Sequence, residues 1–171
     1  QRVFWEANKR KVSVVMDADA LNLLTKLKLS AKLPKNLIIT PHPGEASRLL
    51  GKSINEIESN RFKAVSLLQK KFNCVVVLKG SGTLVCSSKG GKQWIGICEA
   101  GNPGMASGGM GDILTGIISG FLAQGLSLYE AAELGVDIHA KAADLKTLEI
   151  GEAGLLASDV LEEVRQLLKY G

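Results

Sequence analysis

Aromatic residues are scarce in this chain, 5% of its 171 residues. That scarcity argues against a surface that stacks single-stranded bases, which needs aromatic side chains in number. No basic stripe is present either. The 21 Lys and Arg against 17 Asp and Glu give a formal charge of +4 and a pI near 9.0, but they are scattered along the sequence. Anionic small molecules suit such a distribution better than DNA or RNA. Cysteine is sparse, and Cys74, Cys86 and Cys98 have no C-x-x-C spacing. They fall in apolar, strand-like runs, which favours buried free thiols in a reducing cytosol over a metal site or disulfides. The longest apolar stretch, 113–128, falls short of the ~20 residues of a membrane span and is broken by Gly116, Gly120 and Gly125. It reads as a core helix. Repeats, low-complexity tracts and linkers are absent, so a single domain over 1–171 is expected. No signal peptide is visible, and the chain opens at Gln1 in mid-pattern, as a piece of something longer would.

Two familiar phosphate loops are missing as well. No Gly-Lys-Ser/Thr follows the glycines, which excludes a Walker A loop, and no Gly-x-Gly-x-x-Gly directly follows a strand-like run. What the chain has instead is Gly101-Asn102-Pro103-Gly104-Met105-Ala106-Ser107-Gly108-Gly109-Met110-Gly111-Asp112, leading straight into the apolar run 113–122. So many glycines are costly to order unless the backbone needs positive φ angles or must approach a ligand closely. Phosphate is the natural candidate, because the loop delivers glycine amides to the start of a helix, where open N–H donors and the macrodipole favour an anion. Asp112 stands at that mouth. An acidic residue in a first helical turn is common without any chemistry. Beside an anion-receiving group of amides, though, Asp112 is the one side chain of the loop able to act as a base.

Other acidic and basic residues fall where strand-like runs end. Residues 1–10 read as the tail of a helix. The run 12–16 then passes into Asp17-Ala18-Asp19-Ala20-Leu21-Asn22, the pattern of a parallel strand handing polar groups to the carboxyl edge of an α/β sheet. Asp17 and Asp19 could hold Mg²⁺ or water; alternatively one caps the following helix, Asp19 being the better placed. The run 36–40 ends in Pro41-His42-Pro43-Gly44-Glu45. Two prolines fix the backbone around His42, either for a task or simply as a turn satisfied by solvent. Glu45 lies in a first helical turn, suited to the dipole or to a hydrated metal. Residues 54–72 read as one amphipathic helix with Ile54, Ile57, Phe62, Val65, Leu68 and Phe72 inward.

The apolar run 74–78 reads as a strand buried on both faces. Lys79-Gly80-Ser81-Gly82-Thr83 follows, as a phosphate and ribose contact or as a plain hairpin turn, since 84–86 reads as a returning strand. Residues 92–98 give one more strand. A long helix begins at Ser127 and carries His139, read as structural. Ser158 is expected to cap a last helix, with Val160, Leu161, Val164, Leu167 and Leu168 inward.

Together the stretches 15–22, 40–45, 77–80 and 101–116 resemble the carbohydrate-kinase-related NAD(P)H-hydrate dehydratases of the ribokinase-like superfamily, in order through essentially the whole chain, and the His-Pro-Gly-Glu form is similar to bacterial, ADP-using members. The resemblance implies an α/β fold with a largely parallel central sheet and helices on both faces, preceded in the family by further βα units and a glycine-rich segment. It implies dehydration of hydrated NADH or NADPH at the expense of ADP, with ATP as an alternative donor and Mg²⁺ present. By the same resemblance Asp112 is the catalytic base and a substrate contact, His42 contacts the hydrated nicotinamide nucleotide, and Lys79, Gly80, Ser81, Gly82, Thr83 and Gly111 contact the adenylate. The amides of Gly109, Met110 and Gly111 stabilise the transferring phosphoryl group, and Glu45 organises Mg²⁺ through water. A cytoplasmic protein is implied, with no membrane or nucleic-acid partner, a homo-oligomer left open, and an epimerase unit either fused or separate. Two rivals share the glycine-aspartate pattern: a ribokinase-like kinase that keeps the phosphate on a small hydroxylated product, and a nucleotide-binding subunit without catalysis.

Overall fold

A computed structural model describes residues 2–26 and 33–169. Helix α1 (Arg2–Arg10) precedes strand β1 (Val14–Met16) and helix α2 (Asp19–Lys26). Strand β2 (Leu37–Ile39) leads into α3 (Pro43–Leu50), α4 (Ile54–Ser59) and α5 (Arg61–Phe72). Strands β3 (Val75–Leu78), β4 (Thr83–Lys89) and β5 (Lys92–Cys98) follow, then a 3₁₀ turn (Pro103–Met105) and helices α6 (Met110–Ala123), α7 (Leu128–Ile150) and α8 (Ala157–Lys169). The strands form one sheet in chain order, β1 to β5. Strands β1, β2 and β3 are parallel, and β4 runs antiparallel to both its neighbours. The parallel part is thus the first three strands, and the sheet as a whole is mixed.

Strand periodicity explains how both faces are covered. Successive side chains of a strand point to opposite sides. Accordingly Leu37, Ile39, Val76, Leu78, Leu84 and Cys86 pack with Leu21 and Leu24 of α2, Leu49 of α3, Ile57 of α4 and Val65 and Leu68 of α5. The alternate residues Ile38, Val75, Val77 and Val85 meet Leu114, Ile118 and Phe121 of α6 and Ala131, Ala132 and Val136 of α7. Strand β3 is buried at every position, as its unbroken apolar run requires. A smaller cluster, Met110, Ala142, Ala143, Leu155, Val160 and Val164, seats α8 on α6 and α7. Cys74, Cys86 and Cys98 are free. Burial pushes the Cys86 thiol up to about 11 and raises those of Cys74 and Cys98 as well, so all three stay protonated. No helix among the described residues is long and apolar enough to cross a membrane.

Three local expectations give way. Residues 54–72 form two helices, because Asn60 leaves helical geometry (φ −151, ψ 78) and its side chain caps α5 at the Lys63 amide. Ile54, the first residue of α4, and Phe62, the second of α5, end half exposed (52% and 53%) instead of inward, while Ile57 and Val65 of the same helices are buried. Ser158 does not cap α8: the helix starts at Ala157, and the Asp159 carboxylate accepts from the Leu156 N–H (2.9 Å) in the place a capping-box glutamate takes. Leu168 is exposed at the far end of that helix. Asp19 is the first residue of α2, one position past the cap, and Ala18 precedes it with φ 48.

Helices α6 and α7 approach closely because Gly135 has no side chain. A Cβ there would lie 2.7 Å from Cγ1 of Ile118 and 3.5 Å from its backbone N and Cα, so the neighbour has little room to yield. Gly135→Ala is expected to destabilise by about 1–3 kcal/mol through overpacking, read as a lowered urea midpoint with unchanged slope. A midpoint equal to wild type would mean that the two helices separate freely.

Candidate active site

The three parallel strands end side by side, and each hands a polar segment to the same edge. Met16 of β1 is paired with Ile39 of β2, and Ile39 with Val76 of β3. The Thr40 N–H donates to the Met16 carbonyl (3.1 Å) and the Lys79 N–H to the Pro41 carbonyl (2.9 Å), which carries the alignment past the last strand residues. Asp17 and Lys79 are 62 positions apart in the chain, yet the Lys79 ammonium donates to Asp17 Oδ1 at 2.8 Å. Both side chains are largely buried (11% and 20% exposed). The Thr115 hydroxyl of α6 donates to Asp17 Oδ2 at 3.2 Å.

This ion pair sits against the start of α6. A Cβ on Gly111 would lie 3.2 Å from both Asp17 Oδ2 and Lys79 Nζ. Gly109, at the N-cap with φ 87, supplies the left-handed turn that swings the chain into the helix. Ile113 is the first α6 residue whose N–H finds a carbonyl, that of Gly109 (3.0 Å). The amides of Gly109, Met110 and Gly111 have no protein acceptor among the described residues, which leaves donors and the positive end of the dipole available to an anion. Asp112, the third helical residue, is exposed, and its carboxylate has no hydrogen-bond or ion-pair partner among the described residues.

A cavity of about 390 Å³ opens beside this point, lined by Lys79, Gly80, Ser81, Gly82 and Thr83 on one side and Met110 and Gly111 on another. The loop 99–103 and the α7 residues Val136, His139 and Ala140 complete the wall. The Lys79–Thr83 segment is therefore both things the sequence allows, the hairpin between β3 and β4 and part of a cavity wall. Loop 101–107 is anchored from afar: Asp144 of α7 accepts from the Gly101 N–H (2.8 Å) and Asn102 Nδ2 (2.9 Å), and the Ser107 hydroxyl donates to the Leu155 carbonyl (3.0 Å). A larger cavity, about 570 Å³, lies between β5 and α7, lined by Ile97, Leu134 and Asp137 among others. Carboxylates of Glu130, Glu133 and Asp137 line the larger one, whereas Lys79, His139 and the helix start at Gly111 meet at the smaller.

His42 and Glu45 are tied to each other. His42 caps α3, its Nδ1 accepting from the Gly44 N–H (3.0 Å), while the Glu45 Oε2 accepts from the His42 N–H (2.8 Å). Glu45 is buried, and its Oε1 lies 3.6 Å from His42 Nε2, too far for a hydrogen bond. Neither residue, nor Asp112, is part of the cavity lining. His139, read from the sequence as structural, is 6% exposed on the cavity wall, and its Nε2 is buried with no partner. Burial first, and the nearby Lys79 charge second, hold its pKa down from 6.5 to about 4. Asp17, a possible Mg²⁺ or water ligand or helix cap by its sequence position, is instead taken up by Lys79 and Thr115; Thr115, Asp144 and Arg61, whose guanidinium lies under the 78–81 backbone, have no signal in the sequence. Their partners are distant in the chain, so no local spacing reveals them.

A sheet covered by helices on both faces, with a glycine-rich loop opening a helix at the carboxyl edge, defines a ribokinase-like α/β protein. A ribokinase-like superfamily protein of Enterococcus faecalis superposes with a TM-score of 0.78 at 27% identity, over 99% of this chain and 57% of that one. The chain belongs to the NAD(P)H-hydrate dehydratase family, whose model matches residues 1–166. It is 51% identical over 168 residues to the bifunctional NAD(P)H-hydrate repair enzyme Nnr of Vibrio cholerae, covering 98% of this chain and 33% of that protein. The ADP/ATP-dependent NAD(P)H-hydrate dehydratase of Bacillus subtilis, co-crystallised with ATP/Mg²⁺ and soaked with CoA, superposes with a TM-score of 0.80 at 32% identity, over 92% of this chain and 56% of that one. The chain thus spans about a third of the Vibrio relative and just over half of the Bacillus one.

Two measurements test this geometry. Asp17→Asn leaves a largely buried ammonium without its carboxylate and is expected to cost about 3 kcal/mol; adding Lys79→Met should restore part of that loss, and strict additivity in the double-mutant cycle would show the two residues to be uncoupled. For His139 the folded pKa lies below the unfolded one. The unfolded chain gains a proton near pH 6.5 that the folded chain refuses until about pH 4, so stability present above pH 6.5 falls progressively between these values, by up to roughly 3 kcal/mol. His139→Gln should flatten that part of the urea-midpoint profile, and an unaltered slope would place the titration elsewhere.

Proposed function

We propose that this chain is the nucleotide-holding and catalytic portion of a single ribokinase-like dehydratase domain that uses ADP to dehydrate hydrated NADH or NADPH, releasing the reduced cofactor, AMP and phosphate. The observation that carries the reading is one cavity edged by the open helix start at Gly111 and by the Lys79–Thr83 hairpin. Asp112 acts as general base: it accepts the proton of the ring hydroxyl and directs that oxygen at the β-phosphate of ADP. The new O–P bond forms as the bond to the AMP oxygen breaks, and the amides of Gly109, Met110 and Gly111 stabilise the charge on the transferring group. The phosphorylated hydroxyl then leaves as phosphate, its C–O bond cleaved by the electron push of the ring nitrogen, and the adjacent ring carbon gives up a proton to water, which restores the ring double bond and the neutral reduced nicotinamide. Lys79, Gly80, Ser81, Gly82, Thr83 and Gly111 hold the adenylate, and His42 holds the hydrated nicotinamide nucleotide. ATP is the alternative donor.

Mg²⁺ fits here as an ion carried on the phosphates. The described residues contain no cluster of three or more His, Cys, Asp or Glu that would cage a metal. Mg²⁺ at phosphates needs only one or two carboxylates and water. Glu45 keeps one oxygen outside hydrogen-bond distance of His42, free to take a metal-bound water. When bound, the ion would neutralise phosphate charge. The three protonated thiols suit work in the cytosol. An epimerase unit, fused or separate, is the partner that the bifunctional name of the Vibrio relative supports.

A kinase of a small hydroxylated metabolite would use the same base and the same amides, so the products decide. Asp112→Asn in the protein carrying this chain should lower turnover by about 10²–10⁴-fold with ADP affinity held within about twofold. Turnover is followed as free phosphate together with restored absorbance of reduced nicotinamide. A stable phosphoester in place of phosphate would assign the kinase, and retained turnover in Asp112→Asn would remove the base from the mechanism.

A further inference from the structure

Arg61 opens helix α5, and that is an unfavourable place for a cation. The helix N-terminus carries positive partial charge, and α5 has no acidic residue in its first turn to offset it. Helix stability therefore does not account for this residue. Its guanidinium reaches away from α5 to the backbone between β3 and β4. One terminal nitrogen, Nη2, donates to the carbonyls of Leu78 (3.1 Å) and Lys79 (3.2 Å), and Nη1 donates to the carbonyl of Ser81. The Gly80 carbonyl accepts from the Thr83 hydroxyl (3.1 Å). Every carbonyl from 78 to 81 is thus engaged.

The amides of the same loop are the opposite case. Lys79 N–H is used by Pro41, but those of Gly80, Ser81 and Gly82 have no acceptor among the described residues. Peptide groups are rigid, so fixing the carbonyls fixes the direction of the amides that follow them. Gly80 (φ 139) and Gly82 (φ 66) take up the backbone angles this requires, and a Cβ on Gly80 would lie 2.9 Å from Arg61 Nη2. Successive unpaired amides in such a turn form a concavity for an anion. The residues bearing them line the cavity that also holds Gly111.

We propose that Arg61 is the positioning residue of the nucleotide site: by gathering the Leu78, Lys79 and Ser81 carbonyls on the far side of the loop, with Thr83 holding that of Gly80 between them, it keeps the Gly80, Ser81 and Gly82 amides open for a phosphate of a nucleoside diphosphate. This rests on the function proposed above. Lysine cannot replace it, because one ammonium lacks the planar fork that spans carbonyls of three residues.

The test compares Arg61→Lys and Arg61→Met with wild type in the protein carrying this chain. ADP affinity is measured by calorimetry, KM and kcat by dehydration of hydrated NADH, and ¹⁵N relaxation reports the Gly80, Ser81 and Gly82 amides without nucleotide. Both variants should weaken ADP binding and raise its KM by about tenfold or more, with kcat at saturating ADP and KM for hydrated NADH within about twofold and with the loop amides newly mobile. Recovery of ADP affinity by Arg61→Lys would reduce the residue to a simple charge and overturn the proposal. So would an unchanged loop, or a loosened loop that binds ADP as tightly as before. If wild type binds no ADP, the dehydratase reading fails, and with it the assigned ligand; loop mobility in the variants then shows by itself whether Arg61 sets the backbone.

Discussion

The contact between Asp17 and Lys79 is where this molecule is drawn together. It joins the ends of the first and third strands, and Thr115 brings the helix behind the glycine loop to the same carboxylate. A largely buried ammonium must have its counter-charge, and a largely buried carboxylate its donors, so neither strand end is free to shift alone. Gly111 is the corollary. A Cβ there would lie 3.2 Å from each of the two charged groups, so a side chain would press on both and push them by a few tenths of an ångström. The helix start is thereby held at the sheet edge with its open amides beside the Lys79–Thr83 hairpin.

Around this point the protein separates two electrostatic tasks. The α6 start and the 80–82 amides present uncharged donors, which attract an anion without themselves needing a counter-ion. Lys79, the one cation on the wall among the described residues, is already neutralised by Asp17. His139 on the same wall is kept neutral by burial and by that same lysine. The site is therefore built chiefly of dipoles in fixed positions, an arrangement suited to charge that develops during a reaction more than to permanent charge. Asp112 stands exposed and without a side-chain partner among the described residues at the helix mouth, the position from which the proposed proton transfer would start.

Rigidity in the loops comes from outside them. Asp144 on α7 holds Gly101 and Asn102, the Leu155 carbonyl holds Ser107, and Arg61 on α5 holds the hairpin. Glycine-rich segments have no side chains with which to order themselves, so their conformation depends on neighbouring elements supplying the hydrogen bonds. Helix α7 serves twice, as a cover for the sheet and as the anchor of the loop.

Local pattern alone carried the strands, the long helices, the glycine loop feeding α6 and the run of polar residues at the strand ends, because each is a matter of neighbours a few positions apart. The unbroken apolar run of β3 spoke for burial on both faces, and its alternation into two cores bears that out. Spacing failed at Asn60, where a single capping side chain outweighed helical periodicity over 54–72, and at Ser158, where a carboxylate one position later took over the helix start. What only the tertiary structure decided was partnership: Lys79 with Asp17, Arg61 with the hairpin carbonyls, His139 with the cavity wall. Those contacts bridge from about twenty to more than sixty residues of chain, and the hydrophobic closure of the sheet between its helices, not any local preference, determines which distant groups come to share one edge.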